Sequence, residues 1–252
     1  MLYPAAPKIL GLTVHRAPPA MLVIGVGGVA ETGLTYVSRL ALGNLNLRDV
    51  RFVVGGAAYE PGVAGLLGQD VLGLADVDYD LAGGAIRLLR APGCGARDFP
   101  DWGKTRSAWA MALDPINAAA PHAVGRAFIN GVRMKAAFDT GAATTILTRA
   151  AARRAGIDVR GFGAAPAHPA AGIGARLAPT WIAPITTFTI GGETMHDLRL
   201  RIVDTALGEV DMLIGADFFL THRVYVAADR GRLFAMRNPD PSDAPGTPSE
   251  RP

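Results

Sequence analysis

The sequence predicts an all-β protein built as two homologous lobes, each carrying a short helix. Three observations lead there. Half of the 252 residues are hydrophobic and only 19% are charged, while Gly (31) and Pro (18) are frequent, the balance of a turn-rich globular chain. Hairpin cues recur between apolar runs: Gly43-Asn44, Asn130-Gly131 and Gly191-Gly192. Asn-Gly is the strongest of these, because a type I′ turn needs φ > 0 at both central positions. Finally, the chain repeats itself.

The repeat sets the domain organisation. Val63-Ala64-Gly65-Leu66-Leu67-Gly68-Gln69-Asp70 matches Val210-Asp211-Met212-Leu213-Ile214-Gly215-Ala216-Asp217 at an offset of 147, and the match runs on to Gly84/Gly231 and Ile86/Leu233. Upstream, Leu42–Phe52 matches Ile190–Leu200 at 148, so one loop residue separates the two registers. Self-similarity over this length marks duplicated structural units. The reading divides the chain into an incomplete lobe at 1–90, a Gly/Pro/Ala-rich linker at 91–121, a complete lobe at 122–237 and a disordered tail at 238–252.

In the second lobe, Ala127–Phe138 reads as a hairpin turning at Asn130-Gly131. A helix follows at Arg149–Ala155, with Thr148 as its cap and Gly156 suited to the left-handed position after it. A second short helix is expected after Gly215, with Asp217 in a capping role, and the first lobe repeats it after Gly68 with Asp70. Asp211, whose counterpart is Ala64, reads as a surface residue, and the three tryptophans (Trp102, Trp109, Trp181) as packing residues.

The chemistry is carried by Phe138-Asp139-Thr140-Gly141-Ala142, where an apolar strand runs into a loop bearing a carboxylate. With Leu213-Ile214-Gly215-Ala216-Asp217-Phe218-Phe219 some seventy residues later, this resembles the retropepsin-like aspartic proteases, in a bacterial tandem form. The resemblance covers about residues 124–236 well and 9–89 as a lobe lacking its front. It implies barrel-type lobes arranged as a pepsin-like pseudo-dimer, with Leu213, Ile214 and Gly215 on the strand supporting the Asp-Thr-Gly loop. It also implies Asp139 as one member of a catalytic pair, Thr140 linking the two loops and Gly141 offering its N–H to the carboxylate. Gly172-Ile173-Gly174 is the flap candidate, matched by Gly25-Val26-Gly27-Gly28 in the first lobe.

A pair is needed because two carboxylates about 3 Å apart share one proton, so that one activates water while the other donates to the scissile carbonyl. The sequence holds a single Asp-Thr-Gly. Projected back by 148, Asp139 falls at −9, so the first lobe reads as truncated just after the place of its own motif. The expected function is an aspartic endopeptidase whose second Asp comes from an upstream segment or from a second subunit, the latter as a homodimer through the second lobe. The alternative is a non-catalytic peptide-binding or assembly module on the same fold.

Other classes find little support. Lone Cys94 gives no disulfide or thiolate cluster, and the five histidines lack ligand spacing and read as surface or loop residues, so no metal or other cofactor is expected. Val23–Ala30 imitates a dinucleotide fingerprint, but the residues after Ala30 are poor helix formers. The net charge of +3 is scattered, which argues against nucleic acid. No apolar run spans a bilayer, and the first residues lack a signal-peptide pattern. Localisation is open, with export the expectation if the front is missing. The expected partner is a peptide or protein substrate.

Overall fold

The computed structural model describes residues 1–18, 21, 23–30, 32–43, 45–56, 62–89, 100, 102, 108–116, 121–174 and 176–239. Asn44, Cys94, most of the 91–121 linker and the tail from 240 onward lie outside the described residues. The first lobe runs α1 (Ala5–Ile9), β1 (His15–Arg16), β2 (Val23–Gly25), β3 (Gly28–Ala30), β4 (Thr32–Leu42), β5 (Leu45–Gly55), α2 (Gln69–Leu72), β6 (Asp76–Asp80) and β7 (Ala85–Leu89). A strand β8 (Ala108–Ala112) follows, inside the stretch read as linker. The second lobe runs β9 (Val124–Ile129), β10 (Val132–Phe138), β11 (Ile146–Thr148), α3 (Arg149–Arg154), β12 (Ala165–Ala170), β13 (Ala178–Ile190), β14 (Glu193–Val203), β15 (Met212–Ile214), α4 (Ala216–Thr221), β16 (His222–Ala227) and β17 (Arg232–Arg237).

The second lobe closes on itself. Its strands pair in the order β13-β14-β11-β15-β10-β9, and β9 pairs back onto β13 through Phe188↔Ile129 to Ile190↔Ala127. A closed barrel leaves no unpaired edge, and its interior is filled by Ile129, Met134, Leu147, Ile190, Ile202, Met212 and Ile214, all fully buried. The hairpin and helix follow the local cues. Asn130 and Gly131 take φ of 50° and 77°. The Thr148 hydroxyl accepts from Ala151 N–H at 3.2 Å and Gly156 is left-handed at φ 72°.

The first lobe has the same plan in open form. Asp49 and Asp197, matched at 148, both sit at φ near +50°, each where the ladder of its hairpin skips a pair. The helix α1, absent from the sequence reading, matches α3 at an offset of 145. Bonds Leu10 N–H to Ala6 O, Gly11 N–H to Lys8 O and Leu12 N–H to Pro7 O recur at Ala155, Gly156 and Ile157. Leu2 takes the place of Leu147: it bridges Gly65 antiparallel and Val54 parallel, as Leu147 pairs with Met212 and Ile202. The register at this end is therefore 145 and not 148.

The lobes share a five-stranded sheet in the order β7-β6-β16-β17-β8. At its centre β6 pairs antiparallel with β16, through Val77↔Val226, Asp78↔Tyr225 and Tyr79↔Val224. Trp109 on β8 packs against Gly191 and Gly192 at the β13–β14 turn, where a side chain at Gly191 would collide with the indole. The main core runs from Val77 and Tyr79 into the second lobe, whereas the first lobe keeps only a small cluster around Leu2, Ala6 and Phe52.

Candidate active site

The site is built on β10 and β15. These strands run parallel, pairing Phe138 with Ile214, and the Asp139 N–H donates to Ile214 O at 2.9 Å as the chain leaves the sheet. The loop then tightens. The Ala142 N–H returns to Asp139 O at 3.1 Å, and the Gly141 N–H donates to the Asp139 carboxylate (Oδ1) at 2.8 Å. A bond of this kind fixes the direction of the carboxylate. Asp139 stays half-exposed while Phe138 beneath it is buried against Phe218 and Phe219, with ring centroids 6.2 and 6.3 Å away.

Gly215 is required by close approach. A Cβ there would strike the Thr144 carbonyl and approach Ala142 O, so only glycine lets the loop cross this strand end. Leu213 and Ile214 complete the support by pairing with β10, and Leu213 also pairs with Ile146 of β11. The next residue, Ala216, donates its N–H to Ala142 O at 2.7 Å.

Asp217 does more than the capping role expected of it. No side chain caps α4; instead both Asp217 oxygens accept from Thr145 N–H (2.9 and 2.8 Å), and Oδ1 also accepts from the Thr145 hydroxyl at 2.7 Å. That hydroxyl in turn accepts from Gly215 N–H at 3.1 Å. Helix start, loop and strand are thereby bound into one polar unit. The cue was readable as Asp two residues after the apolar-apolar-Gly run, but its partner, 72 residues away, was not. Thr140, expected to link two loops, has no such partner among the described residues.

Two further readings change. Asp211 is not a plain surface residue: its carboxylate accepts from Lys135 N–H at 2.9 Å and pairs with Arg154 at 2.7 Å, joining β10 to α3. His222 is not a surface histidine. It is 2% exposed, stacks on Phe218 at 4.0 Å and meets Glu193 at 2.8 Å, while the other four are exposed. Burial alone would push the Glu193 carboxyl up. The hydrogen bond and charge of His222, then those of Arg237, outweigh it and hold the group below the usual carboxylate range.

The two flap candidates come together. Gly172-Ile173-Gly174 lies on the turn between β12 and β13, and Gly25-Val26-Gly27-Gly28 on the β2–β3 hairpin. Gly27 bridges Gly174 in parallel register: its N–H donates to Ile173 O at 2.9 Å, and its carbonyl accepts from Arg176 N–H at 3.0 Å. Side chains at Gly27 or Gly174 would collide with the facing backbone. Val26 packs on the cluster of Ile146, Ala178 and Val203, so the first-lobe hairpin reaches across onto the second lobe.

From the first lobe, Tyr79 is also directed to this region. It is 3% exposed and meets Phe219 edge-on at 5.2 Å. Burial pushes its phenol up; a hydrogen bond to Gln69 opposes that and the Asp139 charge adds to it. Among the described residues no group of three or more His, Cys, Asp or Glu side chains is placed to hold a metal ion.

Residues 126–218 match the aspartyl protease family. The matched segment holds Asp139, Gly215 and Asp217, and its fold is retropepsin-like. Over a longer span the chain is similar to the aspartic proteinase of Irpex lacteus, at a TM-score of 0.50 and 14% identity, covering 89% of this chain and 83% of that one. A retropepsin-like aspartic protease from Rickettsia conorii is similar over 51% of this chain and 89% of its own, at 20% identity and a TM-score of 0.38. The retroviral protease-like domain of Ddi1 from Leishmania major covers 51% and 95%, at 20% identity and 0.30. No curated protein matches the chain. The Irpex lacteus similarity extends the likeness of fold beyond residues 126–218.

Proposed function

We propose that the chain is an aspartic-type endopeptidase in which Asp139 supplies one carboxylate of the catalytic pair. The observation that carries this reading is the geometry of Asp139 itself. Its carboxylate is half-exposed, oriented by the Gly141 N–H, and held on a loop that Thr145 and Asp217 make rigid. With a second carboxylate opposite, the pair would hold one proton between them. The ionised member takes a proton from water as the oxygen attacks the peptide carbonyl, and the protonated member donates to the developing oxyanion. The proton then passes to the departing amine. The meeting flaps would cover a bound peptide and keep bulk water out.

The second carboxylate belongs to the first-lobe side. A homodimer through the second lobe is less favoured, since the β16 edge that would form it is already paired with β6 of the same chain. The single Asp-Thr-Gly favours a second reading for residues 1–252 alone, a peptide-binding module without turnover. The deciding experiment is cleavage of an unfolded protein between about pH 3 and 7 by the full-length natural protein, with Asp139→Asn and a statine-type inhibitor as controls. Cleavage abolished by both supports the protease. No cleavage anywhere in that range defeats it.

A further inference from the structure

The second lobe holds a cleft that the Asp139 site does not use. It has a volume of about 520 Å³ and lies between Arg149 and Arg153 of α3 and the loop 156–160 that follows the helix. Gly156, left-handed at φ 72°, turns that loop back alongside the helix, so that Arg160 joins the two α3 arginines in the lining. Arg149 and Arg153 stand one turn apart on the same face of α3, a like-charge spacing that weakens a helix. Asp204 answers the first of them, pairing with Arg149 at 2.7 Å, and the Trp181 ring lies 5.2 Å from the same guanidinium. Arg153 and Arg160 have no ion pair among the described residues. Asp158, the one carboxylate in the lining, is turned back on its own loop and accepts from Arg160 N–H at 2.9 Å. The positive charge continues beyond the cleft. Arg199 donates to Gly163 O at 2.9 Å and Arg201 to His168 O at 3.1 Å, both neutral acceptors.

We propose that this cleft binds the phosphate groups of a diphosphate-bearing small molecule. Charge and shape together select that class. Arg153 and Arg160 face one cleft without a carboxylate partner, so a single carboxylate would leave one of them uncompensated. A diphosphate brings several negative charges in one compact group. The guanidinium fork also presents paired N–H donors that match phosphate oxygens two at a time. The cleft is larger than a lone phosphate needs and has the size of a small-molecule site. Its apolar lining residues, Ile157 and Val159, are 6% and 7% exposed and belong to the core, so they offer a ligand little surface. No aromatic residue lines the cleft among the described residues. The ligand is therefore held through its phosphates, with any organic part extending outward. This site is independent of the protease reading.

The test is calorimetric titration of the full 252-residue chain with sodium pyrophosphate at fixed ionic strength, with sodium sulfate and ADP as parallel ligands. Saturable one-to-one binding of pyrophosphate is expected, about tenfold or more tighter than sulfate. Arg153→Ser/Arg160→Ser should weaken it by about tenfold or more. The Tm without ligand should hardly move, because both side chains are exposed. Arg133→Ser alters an exposed arginine on β10 outside the cleft and should leave binding unchanged. ADP bound no more tightly than pyrophosphate assigns a free diphosphate, and ADP bound more tightly assigns a nucleotide; either result upholds the cleft. The proposal is overturned if pyrophosphate binding does not saturate, if sulfate binds equally well, or if Arg153→Ser/Arg160→Ser binds like the unaltered chain. An equal loss in Arg133→Ser also overturns it, since net charge alone would then account for the binding.

Discussion

Asp78 of β6 and Tyr225 of β16 lie opposite each other across the centre of the shared sheet, and each is the other's counterpart in the repeat at the offset of 147. A residue that pairs with its own equivalent marks a two-fold axis, here a pseudo-axis within one chain. The residues have diverged: Asp78 takes Arg223 in a two-pronged bond (3.0 and 2.6 Å), and Tyr225 donates to Asp76 at 2.8 Å. The lobes are therefore joined by main-chain pairing plus buried charges that cannot be exchanged between the two halves.

The Asp78 side chain is 4% exposed and meets Arg223 at 2.6 Å, with Arg87 farther off at 3.6 Å. Arg223→Ala would leave a buried carboxylate without its main partner, and the expected loss of stability is roughly 3–5 kcal/mol. Urea denaturation checks this. An Asp78→Asn/Arg223→Met double variant should recover part of the loss, because the stranded charge is then gone.

Removing the Asp217 carboxylate strands the Thr145 N–H and hydroxyl, both turned into the protein at a residue 8% exposed. Asp217→Ala should cost about 1–3 kcal/mol for each group left without a partner. It should also loosen the Asp139 loop. Amide hydrogen exchange at 139–145 would speed up well before global unfolding, and unchanged exchange there would count against the clamp.

The flap bridge predicts a conformational effect. Gly27→Ala places a methyl group where the Gly174 carbonyl stands, so the hairpins must part. Faster exchange at Gly27 and Arg176, whose N–H groups make the bridging bonds, is the expected result, with little change in global stability.

Glu193 gives the protein an acid-side dependence. Its carboxyl is held below the usual carboxylate range in the folded state, so its stabilisation is present above about pH 4.3, the unfolded value. As pH falls through the lowered folded value that stabilisation is lost. Glu193→Gln should flatten the acid limb of a stability-versus-pH curve measured by denaturant titration. An unchanged limb would show that other carboxylates set it.

Much of this was legible in the sequence because it is local or repeated. The Asn130-Gly131 turn, the Thr148 cap and the Gly156 stop depend on residues within a few positions of each other, and backbone sterics fix their outcome. The Asp139 loop and the Gly215 strand were found together because glycine is needed where chains cross, and the repeat displays that glycine twice. What the sequence hid is long-range: Glu193 meeting the buried His222 across 29 residues, and Asp217 gripping Thr145 across 72. Pattern reading weighs neighbours along the chain, and these contacts depend on neighbours in space.

By itself, then, the sequence determined two lobes, their strand-rich make-up and a carboxylate on a glycine loop. The tertiary structure decided that the second lobe closes into a barrel while the described strands of the first do not, that the two flap candidates meet at Gly27 and Gly174, and that β6 occupies the edge of β16. The reason is physical. Propensity and spacing specify a strand, but only the packed chain decides which edge it satisfies.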